Sequence, residues 1–148
     1  MSGASQWPDL AGRITGATHT LPVRVYFEDT DFSGLAYHGS FVRWCERGRS
    51  DWLRLLGVHH SELIGGGQPA AFVVRRLTLD YLKPARIDDL LEIVTELAAI
   101  TSATLTLNQT VRRDAVTLAK AEVLVVLVSA AGKPVRLPER LKQAFAAL

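Results

Sequence analysis

Three carboxylates, Glu28, Asp29 and Asp31, fall within four positions of this chain, and His38 follows Asp31 by seven residues. A carboxylate can attack an electrophilic carbon or take a proton from water, and a nearby imidazole can hydrogen-bond a carbonyl or position that water. The segment lies between a strand-patterned run and a helix-patterned run, which brings Asp31 close to a helix start. The first amides of a helix lack partners and carry partial positive charge, so they suit an oxygen that turns negative during attack. The spacing leaves a second use open. An aspartate in a turn before a helix also serves as a cap or Asx-turn residue, and a histidine near a helix end also serves structure. Glu28 and Asp29 are expected to set turn geometry or surface charge.

Other residue types narrow the chemistry. Cys45 is the only cysteine, which excludes an intrachain disulfide, and its apolar neighbours point to a buried core thiol. The four histidines form no HExxH pattern and there is no CxxC, so no metal site is expected. Gly65-Gly66-Gly67 and Pro69 read as a loop, since no GK[ST] or GxGxxG pattern accompanies them. The formal charge is +2 with 22% charged residues and no lysine-arginine run, which argues against nucleic-acid binding.

The elements that must hold the acidic segment follow from periodicity. Leu21–Phe27 reads as a strand with Val23, Val25 and Phe27 on one face. From Ser40 to Leu56 the period becomes helical. Phe41, Trp44, Cys45, Gly48, Trp52, Leu55 and Leu56 form an apolar stripe, and Arg43, Glu46, Arg47, Arg49 and Arg54 take the remaining surface. Gly57 stands where a helix cap is expected, and Gly48 within the stripe implies a close crossing by another element. Four strands follow, over residues 71–82, 90–99, 103–112 and 118–129, with connections too short for crossover helices. A short helix is expected over 138–148. The order is strand, long helix, four strands: an α+β domain with one helix on a five-stranded antiparallel sheet, whose edges and outer face call for a second copy. Residues 1–20 are expected to form a loosely ordered arm, and 21–148 a single domain.

The run Val25-Tyr26-Phe27-Glu28-Asp29-Thr30-Asp31-Phe32-Ser33-Gly34-Leu35-Ala36-Tyr37-His38-Gly39-Ser40 resembles the acyl-CoA thioesterases of the 4-hydroxybenzoyl-CoA thioesterase family, in particular their Tol-Pal-associated branch. The segments 80–90, Lys120-Ala121-Glu122-Val123 and 132–138 carry the same likeness, which spans about residues 20–142. The resemblance implies the hotdog fold and hydrolysis of an acyl-CoA thioester. It assigns Asp31 as nucleophile or general base and His38 as an active-site partner, with a helix N-terminus polarising the carbonyl. Gly34, Tyr37 and Phe27 then border the substrate. The branch often has tyrosine where Phe27 stands, and Phe27 cannot supply a hydroxyl. Related lineages use a helix glutamate, which makes Glu46 a further candidate beside an ion-pairing role. Coenzyme A phosphates call for cations; Arg75, Arg76, Lys83, Arg86, Arg112 and Arg113 are the candidates, with Lys83 and Arg112 singled out because both close strands.

The resemblance also implies that no cofactor is needed, coenzyme A being part of the substrate and a product. It suggests a homo-oligomer, a dimer or dimer of dimers up to a homotetramer, and a possible envelope or phospholipid-synthesis protein partner. No apolar run approaches the length of a membrane span, so no membrane insertion and a cytoplasmic location are expected. Three readings compete with hydrolysis: a hotdog hydratase or dehydratase, a scaffold that binds CoA thioesters without turnover, and a hotdog with a purely structural function.

Overall fold

The computed structural model describes residues 10–148. Six strands form one antiparallel sheet in the order β1-β2-β4-β5-β6-β3: β1 (Arg13–Thr15), β2 (Thr18–Arg24), β3 (Ala70–Tyr81), β4 (Leu90–Ile100), β5 (Thr104–Arg113) and β6 (Val116–Ser129). Helix α1 (His38–Leu55) lies on one face, the short α2 (His60–Gly65) follows it, and α3 (Glu139–Ala146) ends the chain. This is the α+β, hotdog arrangement expected from the sequence, with one strand more.

The extra strand corrects the expected arm. Residues 13–15 pair with 18–20 as a hairpin about Gly16, which turns at a φ of +60°. The hairpin is tied down at its buried side. His19 Nε2 lies 2.6 Å from Asp51 Oδ2 on α1, and the Gly12 amide donates to the same oxygen at 2.8 Å. A loosely ordered arm is therefore incorrect for residues 13–20; the rest of that expectation, over residues 1–9, lies outside the described residues.

Strand β2 also ends earlier than expected, at Arg24. The Asp29 carboxylate accepts from the Tyr26 amide at 2.8 Å and turns the chain into a single 3₁₀ turn, Phe27–Asp29. Phe27 thus leaves the strand and is exposed, while Val23 and Val25 remain in the core.

Helix α1 buries Phe41, Trp44, Cys45, Gly48 and Trp52 as the spacing predicts, and Gly57 follows at a φ of +86°. Two stripe assignments change. Leu55 is exposed and Arg49 is buried. Arg49 turns inward because Gln109, on the inner face of β5, accepts from its Nη1 at 3.1 Å. Gln109 Nε2 donates in turn to the Cys45 carbonyl at 2.8 Å and to Thr95 Oγ1 at 2.9 Å. Thr95 and Gln109 face each other across β4 and β5, and Gly48 crosses directly above them. A Cβ at Gly48 would sit 2.9 Å from Ile93 Cγ2, the close crossing that a glycine in the apolar stripe implied.

Candidate active site

The acidic segment closes on itself before α1 begins. The Asp31 amide donates to the Leu35 carbonyl, and the Gly34 amide donates to the Asp31 carbonyl at 3.2 Å. Gly34 takes a φ of +81°, a conformation that disfavours a side chain. The loop is pinned from outside: the Ala36 amide donates to the Ala85 carbonyl at 2.8 Å, and the Ile87 amide to the Gly34 carbonyl. The 80–90 segment thus forms the floor on which the Asp31 loop rests.

Asp29 serves the loop's geometry. Its carboxylate is buried in the 3₁₀ turn, and its carbonyl accepts from the Tyr37 amide and from Ser40 Oγ, each at 2.8 Å. Asp31 differs in kind. Its side chain is exposed, and Oδ1 accepts both the Ser33 hydroxyl and the Ser33 amide, the latter at 2.8 Å. The Ser33 hydroxyl, then the Ser33 amide, hold the Asp31 carboxyl below its ordinary pKa. The group is an ionised, accessible carboxylate held in one orientation.

The helix that follows begins without a side-chain cap: Tyr37 occupies the cap position with extended backbone and makes no capping bond. The Ser40 amide donates to the Tyr37 carbonyl at 2.9 Å, so among the described residues the His38 and Gly39 amides are the first-turn donors left open to a ligand oxygen. Gly39 matters to that opening. A Cβ there would stand 2.7 Å from Tyr37 Cε2, so glycine lets the Tyr37 ring lie against the first turn. The Tyr37 and His38 rings are 4.2 Å apart, and Tyr81 meets His38 edge-on at 6.3 Å. Tyr81 Oη also donates to the His38 carbonyl at 2.8 Å, which fastens the helix start to the end of β3.

The structure thus groups Asp31, Gly34, Tyr37 and His38 in the loop and first helical turn, with exposed Phe27 in the preceding 3₁₀ turn. Among the described residues, no hydrogen bond or ion pair joins Asp31 to His38, and none joins Lys83 or Arg112 to either. Arg112 Nε instead donates to Glu92 Oε1 at 3.0 Å across β4 and β5. Cys45 is buried, and burial pushes its thiol up to about 11, which removes it as a nucleophile near neutral pH. Ser33 and Tyr81 carry parts of the site that sequence reasoning left unassigned. A serine two residues after an acidic turn residue was the available signal for the first. Tyr81 gave no local signal, because its partner lies 43 residues away.

A sequence model described as the thioesterase superfamily matches residues 33–120. The chain belongs to the thioesterase superfamily. It is 40% identical over 127 residues to the acyl-CoA thioesterase YbgC of Haemophilus influenzae, covering 85% of this chain and 93% of that one. It is 43% identical over 126 residues to the acyl-CoA thioester hydrolase YbgC of Escherichia coli, covering 84% and 92%. Among solved structures, a probable thioesterase from Bartonella henselae superposes with a TM-score of 0.80 at 39% identity, over 82% of this chain and 100% of that one. A 1,4-dihydroxy-2-naphthoyl-CoA thioesterase from Synechocystis shares the fold, with a TM-score of 0.82 at 23% identity over 88% and 97%. The superfamily match begins inside the Asp31 loop, at Ser33, and runs into the first half of β6, so it takes in the loop's floor and all of α1.

Proposed function

We propose that the protein hydrolyses acyl-CoA thioesters to the free acid and coenzyme A, with Asp31 as the central carboxylate. The observation that carries this reading is an exposed aspartate, oriented and kept ionised by Ser33, in the loop that leads into an uncapped helix start. Asp31 either attacks the thioester carbon or takes a proton from the water that does. In both cases the carbonyl oxygen becomes negative, and the first amides of α1 are placed to receive it. Coenzyme A leaves as the thiol. On the direct route the acyl-aspartyl anhydride then takes up water and releases the acid, which restores the carboxylate.

His38 hydrogen-bonds the carbonyl or positions the water, and Gly34, Tyr37 and Phe27 border the acyl-pantetheine arm. Lys83, exposed beside the loop's floor, is the better placed of the two cations for a coenzyme A phosphate; Arg112 has Glu92 as its partner. The chemistry calls for no metal or cofactor. The proposed site of action is the cytoplasm; among the described residues no helix is long and apolar enough to cross a membrane. A homo-oligomer completes the sheet. Strand β3 forms an open edge, with Val73 and Val74 exposed along it, and a second copy is the partner that an edge of this kind recruits.

Thiol release from short-chain, long-chain and aromatic acyl-CoA substrates tests the reading. Wild type is expected to turn over at least one of them, and Asp31→Asn to lose that turnover while its fold survives. Equal turnover in both proteins would make Asp31 a turn residue, and no turnover on any substrate would leave a CoA-thioester-binding scaffold.

A further inference from the structure

One hydrogen bond ties the first peptide unit of α1 to the sheet: Tyr81 Oη donates to the His38 carbonyl at 2.8 Å. That carbonyl and the Gly39 amide belong to the same planar peptide unit, with the C=O and the N–H pointing in opposite directions. Whatever fixes the carbonyl therefore fixes the aim of the Gly39 N–H. The Gly39 amide is one of the two first-turn donors left open, because the Ser40 amide is already taken by the Tyr37 carbonyl. A carbonyl oxygen has two lone pairs, so the Tyr81 bond adds to the helical bond that the same oxygen accepts.

Tyr81 is itself held by elements other than the Asp31 loop. It closes β3 opposite Ala119 of β6, and the amides of Leu82 and Lys83 both donate to the Leu118 carbonyl, at 2.8 and 3.0 Å. Its ring meets buried Phe41 edge-on at 5.3 Å and His38 edge-on at 6.3 Å. A strand end and two ring contacts thus place the hydroxyl, although the residue is nearly half exposed. Desolvation, then the neighbouring Cys45 and Tyr37, push the phenol above its ordinary pKa, so it stays protonated and a donor at neutral pH. Donation to one end of a peptide unit polarises it, which makes the N–H at the other end a stronger donor.

We propose that Tyr81 is a positioning residue for thioester hydrolysis: its hydroxyl aims and polarises the Gly39 amide, the donor that meets the carbonyl oxygen as it turns negative. This role rests on the hydrolase reading and adds to it a residue 43 positions from the helix start. The gain grows with the charge on that oxygen, so it is larger in the transition state than in bound substrate.

Tyr81→Phe keeps the ring contacts and removes only the hydroxyl. In thiol-release assays its kcat is expected to fall about tenfold with KM nearly unchanged, less than the ~100-fold or more that follows loss of an oxyanion donor itself. Infrared difference spectra read the amide directly. With benzoyl-CoA or butyryl-CoA, isotope-labelled at the carbonyl and bound to Asp31→Asn, binding is expected to lower the carbonyl frequency. Adding Tyr81→Phe should reverse part of that shift. Tyr81→fluorotyrosine, a stronger donor of nearly the same shape, should deepen it, and it carries the test should Tyr81→Phe fail to fold by circular dichroism. An unchanged kcat in folded Tyr81→Phe would overturn the proposal. So would a carbonyl frequency that binding leaves unshifted for both thioesters, or that neither replacement moves. Turnover lost in Asp31→Asn yet intact in Tyr81→Phe sinks this role alone. A shift that follows Tyr81 in a protein that cleaves neither thioester upholds the aimed amide and sinks the hydrolase reading alone.

Discussion

At the scale of single residues, the contrast between Asp29 and Asp31 separates a turn-forming carboxylate from the one proposed to do the chemistry. The two stand two positions apart, yet one carboxylate is buried against a backbone amide and the other is exposed and bonded to its neighbour Ser33. Asp31→Asn is expected to lower kcat/KM by at least about a hundredfold, the usual range for a positioned acid or base. Ser33→Ala tests the tuning. The Ser33 hydroxyl is the largest influence holding the Asp31 carboxyl down, so its removal moves the pKa up toward the ordinary carboxylate value. In the proposed mechanism the active form is the ionised one, so activity is expected to fall as pH drops through that pKa. The acid limb of kcat/KM should therefore shift to higher pH in Ser33→Ala, and an unmoved limb would show that another group sets it. Asp31, His38 and Gly34 were legible in the sequence because they sit in one short ordered motif. Ser33 was visible but had no role, because its hydroxyl bond depends on how the loop closes, and closure is set by Leu35, Ala85 and Arg86.

At the scale of elements, α1 does two tasks with two glycines. Gly39 admits the Tyr37 ring against the first turn, and Gly48 admits the sheet. Gly48→Ala places a methyl 2.9 Å from Ile93 Cγ2 and 3.2 Å from Gln109 Nε2, closer than the sheet tolerates without shifting. Overpacking of this kind costs about 1–3 kcal/mol, more than the helix propensity of alanine returns, and urea unfolding should register it as a net loss. The apolar stripe made Gly48 readable in advance, because a glycine among large side chains marks a close approach. Arg49 was not readable. A helical repeat assigns an arginine to the surface, and only the buried Gln109 on a strand 60 residues away reverses it. The β1–β2 hairpin escaped for a similar reason: its anchor is the contact of His19 and Gly12 with Asp51, and glycine-bearing polar sequence gives no local sign of it. Asp51→Ala leaves the Gly12 amide and the buried His19 ring without that acceptor, and a loss of about 1–3 kcal/mol in the same unfolding experiment is expected.

At the scale of the whole molecule, the order of the strands poses a problem that one chain leaves open. Strand β1 covers one edge of the sheet and is only three residues long, whereas β3 at the other edge runs for 12 residues. Short edges resist association and long ones invite it, because a long edge offers a row of unpaired amides and carbonyls. Val73 and Val74 are exposed near the start of β3, and a bulge between Val74 and Arg76 interrupts its pairing with β6. The other end of the same strand reaches Tyr81, which holds the helix start at His38, so what happens along this edge bears on the site. If a second copy pairs there, charges placed on the two valines oppose it directly. The double substitution Val73→Lys with Val74→Lys should bring the mass measured by light scattering down to that of one chain, 16.2 kDa. Turnover should fall with it, because the contact between copies then no longer braces the outer side of the strand whose far end holds the helix start through Tyr81. A multimer of unchanged mass in the double variant would place the contact between copies on another face, and a monomeric variant with full turnover would mean that each site is complete within its own chain.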